Sequence, residues 1–200
     1  MTKAAKFLLL AAKGALVVVL LSIAASVGLA REKYETIEAQ AFGTGTQMGQ
    51  NIGIKVMIYE FSPPEAKQSL VDAFMKGQNQ GLVNALTKMP AVGRIAITGT
   101  LGYDLSFIRQ IPTPTGRKIR FVTNRQIRFG EAWADTQSQA YNLTAGEFDL
   151  NDQDKGKSTG ILYPAAQLII DKEGQLQFEL RQNAWRLSGI LDWPGTKGEN

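Results

Sequence analysis

Apolar and polar positions alternate with a period of two along much of this chain, and one stretch breaks the rule. Ile52, Ile54, Val56 and Ile58 alternate with Gly53, Lys55, Met57 and Tyr59, the pattern of a strand with one buried face. Residues 34–42 read as a strand before it, and the glycine-rich Gly43–Gly49 segment reads as the turn between them. From Ser62 the period changes. Ser62 is placed as an N-cap, Pro63 and Pro64 open the first turn and Glu65 sits within it, which together start a helix. Ala66, Leu70, Ala73 and Phe74 form its stripe, and Gly77 is expected to stop it. A second short helix is expected from Asn79 to Lys88, with Leu82, Val83 and Leu86 on one face and Met89-Pro90 at its end.

Strand periodicity returns at Val92. Ile95, Ile97, Gly99 and Leu101 alternate with Ala96, Thr98 and Thr100, and Tyr103–Ile111 continues in the same way. Pro112–Gly116 is turn-like. Residues 118–129 read as a hairpin around Thr123-Asn124-Arg125, and 131–139 as a polar loop. Further strands are expected near 141–150, 159–170 and 174–182, the last two joined by a turn at Asp171-Lys172-Glu173-Gly174. Helices segregated from strands, with short links between strands, point to an α+β fold. The expectation is a largely antiparallel sheet of about eight strands, open, half-closed or closed into a barrel, with a two-helix insert after strand two.

The first thirty residues follow neither period. Lys3, Lys6 and Lys13 precede a run of 17 uncharged, mostly apolar residues, Gly14–Ala30, and charged sequence begins at Arg31. A basic start, an apolar run and small residues before a polar stretch make a secretory signal, with cleavage expected after Ala30. The alternative is an uncleaved membrane anchor, since 17 residues lie at the short end of the roughly 17–25 that span a bilayer. The expected division is therefore 1–30 signal peptide or anchor, 31–193 one β-rich domain and 194–200 a disordered tail. The domain is expected outside the cytoplasmic membrane, periplasmic or extracellular, or else tethered to the inner membrane. The signal also alters the charge balance. Residues 1–30 hold three of the 22 Lys and Arg and none of the 18 acids. The remainder has 19 cations against 18 acids, a net +1, too little to imply specific nucleic-acid binding.

The chain has no Cys and no His. That excludes disulfides, thiolate nucleophiles, Ser-His-Asp machinery and the usual zinc ligands, and no cofactor is implied. Gly156-Lys157-Ser158-Thr159 has the ending of a phosphate-binding loop, but the motif needs glycine where Asn151 stands. Gly43, Gly45 and Gly49 miss the dinucleotide spacing by one residue. Asp149, Asn151, Asp152 and Asp154 supply oxygens of the kind calcium takes, without EF-hand spacing, so a solvated turn is the expectation. Asn142-Leu143-Thr144 matches a glycosylation sequon.

The densest candidate chemistry is cationic. Ser106–Gly130 contains Arg109, Arg117, Lys118, Arg120, Arg125 and Arg128 and no acid, interleaved with Phe107, Ile119, Phe121, Ile127 and Phe129. On strands this alternation turns the apolar set inward and most cations outward. Such a face could bind an anionic lipid, glycan or protein, arginine suiting bidentate contacts, or it could be a solvated face neutralised by acids from other strands. Just beyond it, Glu131 and Asp135 flank Trp133 and form the first carboxylate pair that could serve as acid and base.

Through Ile97–Asp104, Ile111–Arg120 and Phe129–Ala132, and over most of the chain after residue 30, the sequence resembles a family of exported bacterial proteins with no assigned activity. The resemblance implies export and supplies no catalytic residue. The leading expectation is a non-enzymatic, exported binding or envelope-associated domain that uses either a cavity or the Arg109–Arg128 face. The alternatives are a carboxylate-based hydrolase of an envelope polymer, and a membrane-anchored structural or assembly protein.

Overall fold

The computed structural model describes residues 34–127, 143–166, 168–172, 176–178 and 184–195. The expected signal or anchor, Arg128, the Glu131–Asp135 pair, Asn142 of the sequon and the last five residues of the tail lie outside them.

Nine strands form one antiparallel sheet. In chain order they are β1 (Glu35–Phe42), β2 (Asn51–Ile58), β3 (Gly93–Ile97), β4 (Tyr103–Leu105), β5 (Phe107–Thr113), β6 (Gly116–Val122), β7 (Leu143–Asn151), β8 (Thr159–Ala166) and, after a separate two-stranded pair β9 (Leu168–Ile170) and β10 (Leu176–Phe178), β11 (Trp185–Trp193). The spatial order is β4-β3-β2-β1-β11-β8-β7-β6-β5. Its two end strands, β4 and β5, are consecutive in the chain and separated only by Ser106. Residues 103–113 thus run as one bent strand that pairs first with β3 and then with β6. The Val92 amide donates to Leu105 and the Ser106 amide to Val122, at 2.9 and 3.2 Å. The sheet is a nearly closed, barrel-like meander in chain order, and the expected count of about eight becomes nine because of the break at Ser106.

Alternation around this ring places Ile37, Ile54, Val56, Ile95, Leu105, Ile108, Ile119, Phe121, Phe148, Leu162, Trp185 and Leu187 in one buried cluster inside it. Glycines on the inward side make room for large neighbours. A Cβ at Gly146 would lie 2.4 Å from the Phe121 ring, one at Gly93 2.5 Å from Ile108 Cδ1, and one at Gly160 3.1 Å from Leu187. Phe121 and Phe148 pack at 5.7 Å between ring centres. An eight-stranded barrel is just wide enough for side chains to fill, and these residues fill it.

One helix, α1 (Pro64–Leu86), stands where two were expected. It is broken internally, since Gly77 and Gln78 leave helical geometry. The break falls where Gly77 was expected to stop the first helix, so two helical pieces meet at a kink within α1. Leu70, Phe74, Leu82 and Leu86 pack on the outer face of the ring against Phe107, Val122, Leu143, Ala145 and Tyr163. The buried Asn79 side chain ties the helix to the link between β8 and β9, donating to the Ala166 carbonyl at 3.2 Å and accepting from the Leu168 amide at 3.1 Å. Ser62 does not cap the helix, because Pro63 is the N-cap residue. Ser62 instead pairs with β5, donating its amide to Ile108 O and accepting the Ile108 amide on its hydroxyl.

Three other expectations are corrected. Residues after Val122 do not return as a hairpin, since β6 pairs with β7 at 143–151. The expected strand 159–170 divides between two sheets at Ala166 and Leu168. β11 falls beyond every expected strand. Among the described residues no helix is long and apolar enough to cross a membrane.

Candidate functional site

Residues 117–121 alternate in side as they do in chemistry. Arg117, Ile119 and Phe121 share the inward side, while Lys118 and Arg120 share the outward one. This divides the expected cationic face. Outside, β7 supplies acids. Lys118 Nζ lies 3.0 Å from Glu147 and 3.1 Å from Asp149, and Arg120 Nε also donates to Glu147. Burial alone would push the Glu147 carboxyl up, but Arg120 and Lys118 outweigh it and hold it below its ordinary value. Glu147 in turn holds the Lys118 ammonium above its own. Arg109 stands directly opposite Arg120 across β5 and β6, and among the described residues it has no acid partner. Arg125 is exposed, with Nε 3.2 Å from Asn124 Oδ1. The next outward position along the row beyond Glu147 is Ile161, followed by the exposed Arg186.

Arg117 turns into the end of the barrel. Its Nη2 donates to Asp192 Oδ2 at 2.7 Å, and its Nη1 donates to Glu35 Oε2 at 3.1 Å and to Gln110 Oε1 at 3.2 Å. Nη2 also lies 2.9 Å from Glu35 Oε1. The three charged side chains are 12–17% exposed. One cation and two anions therefore close this mouth of the ring, joining the start of β1, the start of β6 and the end of β11. Two anions sharing one cation leave unequal results. Burial pushes the Glu35 carboxyl up, Arg117 pulls it back through its hydrogen bond and charge, and Asp192 pushes it up again, for a net rise. Arg117, despite its own burial, is held above its ordinary value by the two carboxylates. Glu35 Oε1 and Asp192 Oδ1 are buried without a hydrogen-bond partner.

The sequence pattern singled out Arg117 but not its acids, which lie 82 and 75 residues away. The available signal was parity: Arg117 holds an apolar position in an otherwise regular alternation. Chemically the trio is a clamp, since the guanidinium occupies the space a reacting group would need between the two carboxylates.

The remaining motifs resolve into local structure. Gly156-Lys157 lies in a single 3₁₀ turn, Lys155–Lys157, that leads into a strand rather than a helix. Asn151 Oδ1 accepts from the Gln153 and Asp154 amides, and Asp154 Oδ1 accepts from Gly156. The Asn151 and Asp154 oxygens thus serve the turn, Asp149 pairs with Lys118, and among the described residues no group of three acids is placed to hold a metal.

The chain matches no protein-family model, no curated protein and no solved structure.

Proposed function

We propose that this chain is an exported, non-enzymatic binding domain of the cell envelope that works from the outside of a filled barrel. Its anionic partner is taken on the outward row that contains Arg109, Arg120 and Arg186. The observation that carries this reading is the Arg109–Arg120 pair. Like charges directly opposite on a sheet are destabilising, and the one acid in their row, Glu147, is already shared with Lys118. A carboxylate, phosphate or sulfate on a partner relieves that repulsion, and two arginines paired on strands about 5 Å apart can both reach it. The packed interior, with glycines at 93, 146 and 160 giving way to large side chains, favours a surface role over that of a carrier with an internal ligand.

The test is retention of the full chain on an immobilised sulfated glycan and, separately, on an immobilised anionic-lipid surface, each across a salt gradient. Replacing both Arg109 and Arg120 with Gln should weaken retention at least tenfold on one of the two and flatten its salt dependence. Lys157→Gln, on the exposed turn, should not. Retention unchanged by the double substitution on both surfaces defeats the proposal.

A further inference from the structure

The outer face of β5, β6 and β7 holds an interrupted alternation of charge. Asp149, Lys118, Glu147 and Arg120 run acid, cation, acid, cation. Lys118 Nζ lies 3.1 Å from Asp149 and 3.0 Å from Glu147 Oε1, and Arg120 Nε donates to Glu147 Oε2. Each oxygen of Glu147 is therefore engaged. The next member is Arg109, a second cation in succession, directly opposite Arg120. Its other neighbours on this face are Phe107 and Ile111 on its own strand and Val122 and Lys118 on β6, and none of them is an acid. Ser62 stands across the other edge of β5, at Ile108, and among the described residues neither Glu60 nor Glu65 of that segment pairs with Arg109. An anion between Arg109 and Arg120 completes the alternation.

The inference rests on the anionic partner proposed above for this row, and it narrows that partner's chemistry. Arg109, Lys118 and Arg120 against Glu147 and Asp149 leave these five side chains a net charge of +1. Anionic membranes are held by clusters of about 4–8 basic residues, whereas here Asp149, 43% exposed, stands among the cations. The face suits a discrete group instead. Arg120 has its Nε on Glu147, which leaves its Nη nitrogens, and no described acid occupies the fork of Arg109. Two guanidinium groups meeting one anion call for more than two acceptor oxygens. A carboxylate has only two, and one bidentate arginine takes both. Sulfate and phosphate monoesters each present three. They differ in charge, since a sulfate ester carries a single negative charge and a phosphate monoester about 1.5–2 near neutral pH. The sulfate ester matches the net charge of the row. The excess charge of the phosphate meets Glu147, one strand beyond Arg120. We propose that Arg109 and Arg120 hold a sulfate ester of a sulfated polymer, and that Glu147 sets the preference for sulfate over phosphate.

The test uses a common backbone, dextran carrying sulfate, phosphate or carboxymethyl groups at matched substitution. Each polymer is immobilised and met by the full chain at about pH 8, where a phosphate monoester is doubly ionised. The parent should be retained several-fold more tightly on dextran sulfate than on either of the others, although non-specific attraction alone would favour the more highly charged phosphate. Glu147→Gln removes a charge, keeps an acceptor for Arg120 and leaves Lys118 on Asp149, so the fold should persist. It should tighten retention on dextran phosphate more than on dextran sulfate, and so shrink the gap between them several-fold. Carboxymethyl dextran or dextran phosphate held by the parent as tightly as dextran sulfate overturns the sulfate ester. A sulfate-to-phosphate ratio unmoved by Glu147→Gln overturns the role of Glu147. Arg109→Gln combined with Arg120→Gln separates this inference from the reading beneath it. Retention that the double substitution leaves unchanged on all three polymers defeats both. Retention that it weakens, where the parent shows no preference among the three, defeats the sulfate ester alone.

Discussion

At Gly146 the sheet omits a Cβ where the Phe121 ring lies, and this single omission lets a phenyl group fill the barrel. The ring atoms would stand 2.4–2.9 Å from an added methyl, and Phe121 is fully buried, so it has no free space to move into. Gly146→Ala should cost about 1–3 kcal/mol, the usual range for overpacking. Phe121→Leu should recover part of that when combined with Gly146→Ala, while being destabilising alone. A double-mutant cycle read by denaturant titration measures the coupling, and simple additivity would contradict the contact. Gln78 shows the opposite mismatch between residue and place. It is the one described non-glycine residue at positive φ, with φ 52° and ψ −145°, in a region that suits glycine almost alone. The glycine sits one position earlier, at 77. Gln78→Gly should therefore stabilise the domain by about 1 kcal/mol, as relief of strain exceeds the added freedom of the unfolded chain. A lower denaturation midpoint would show that the conformation is not strained.

Elements were legible wherever their period ran unbroken. β2, β3 and the helical stripe from Ala66 to Phe74 follow a single rhythm, and local sequence was enough to find them. β11 escaped because its rhythm slips. Glu38 pairs with Leu191 and Gln40 with Ser188, so β11 carries one extra residue. Gly189, at φ 60°, absorbs it as a bulge. Trp185 and Leu187 point inward at odd positions, Ile190 and Asp192 at even ones, and a period-two search sees neither half as a strand. The clamp at the barrel mouth was hidden for the same reason, since Asp192 turns inward only after the slip. Pairing across 75 residues is also a tertiary fact that no local pattern states. The clamp has a pH signature. A carboxyl whose folded value is raised stabilises the protein most when protonated, and loses that contribution as pH rises through its folded value. Ionised Glu35 is thus a burden at neutral pH. Glu35→Gln should raise the melting temperature at pH 7, and the gain should vanish below about pH 4, where free Glu is itself protonated. Arg117→Met should do the reverse. It leaves two buried carboxylates without their cation, at a cost of roughly 3–5 kcal/mol at pH 7, and that loss should shrink in acid. Parallel melting curves for the three proteins across pH would refute the clamp.

For the whole molecule, the decisive residue is Ser106. By passing from one end of the sheet to the other in a single buried residue, the chain turns a nine-stranded sheet into a nearly closed ring. The sequence pattern ran one strand, Tyr103–Ile111, through residue 106 without showing that its two halves belong to opposite ends of the sheet. The ring leaves two apolar clusters of different standing. The inner one is built from strands that, the end strands β4 and β5 apart, are each paired on both sides, so most of its members can separate only when the ring opens. The outer one depends on α1, whose backbone bonds are local and which is already interrupted at Gly77-Gln78. Opening free energies within a fold follow this kind of difference. Under native conditions, amides of Ile54, Ile119 and Phe148 should exchange only through global unfolding. Those of residues 80–86 should exchange through a smaller opening that leaves the ring intact. Leu82→Ala removes a nearly fully buried side chain from the outer cluster. It should lower global stability by about 2–5 kcal/mol, and the gap between helix and ring amides should persist in the variant. If helix and ring amides instead share one exchange free energy in the parent protein, the helix and the barrel open as one unit, and the distinction between the two clusters has no energetic meaning.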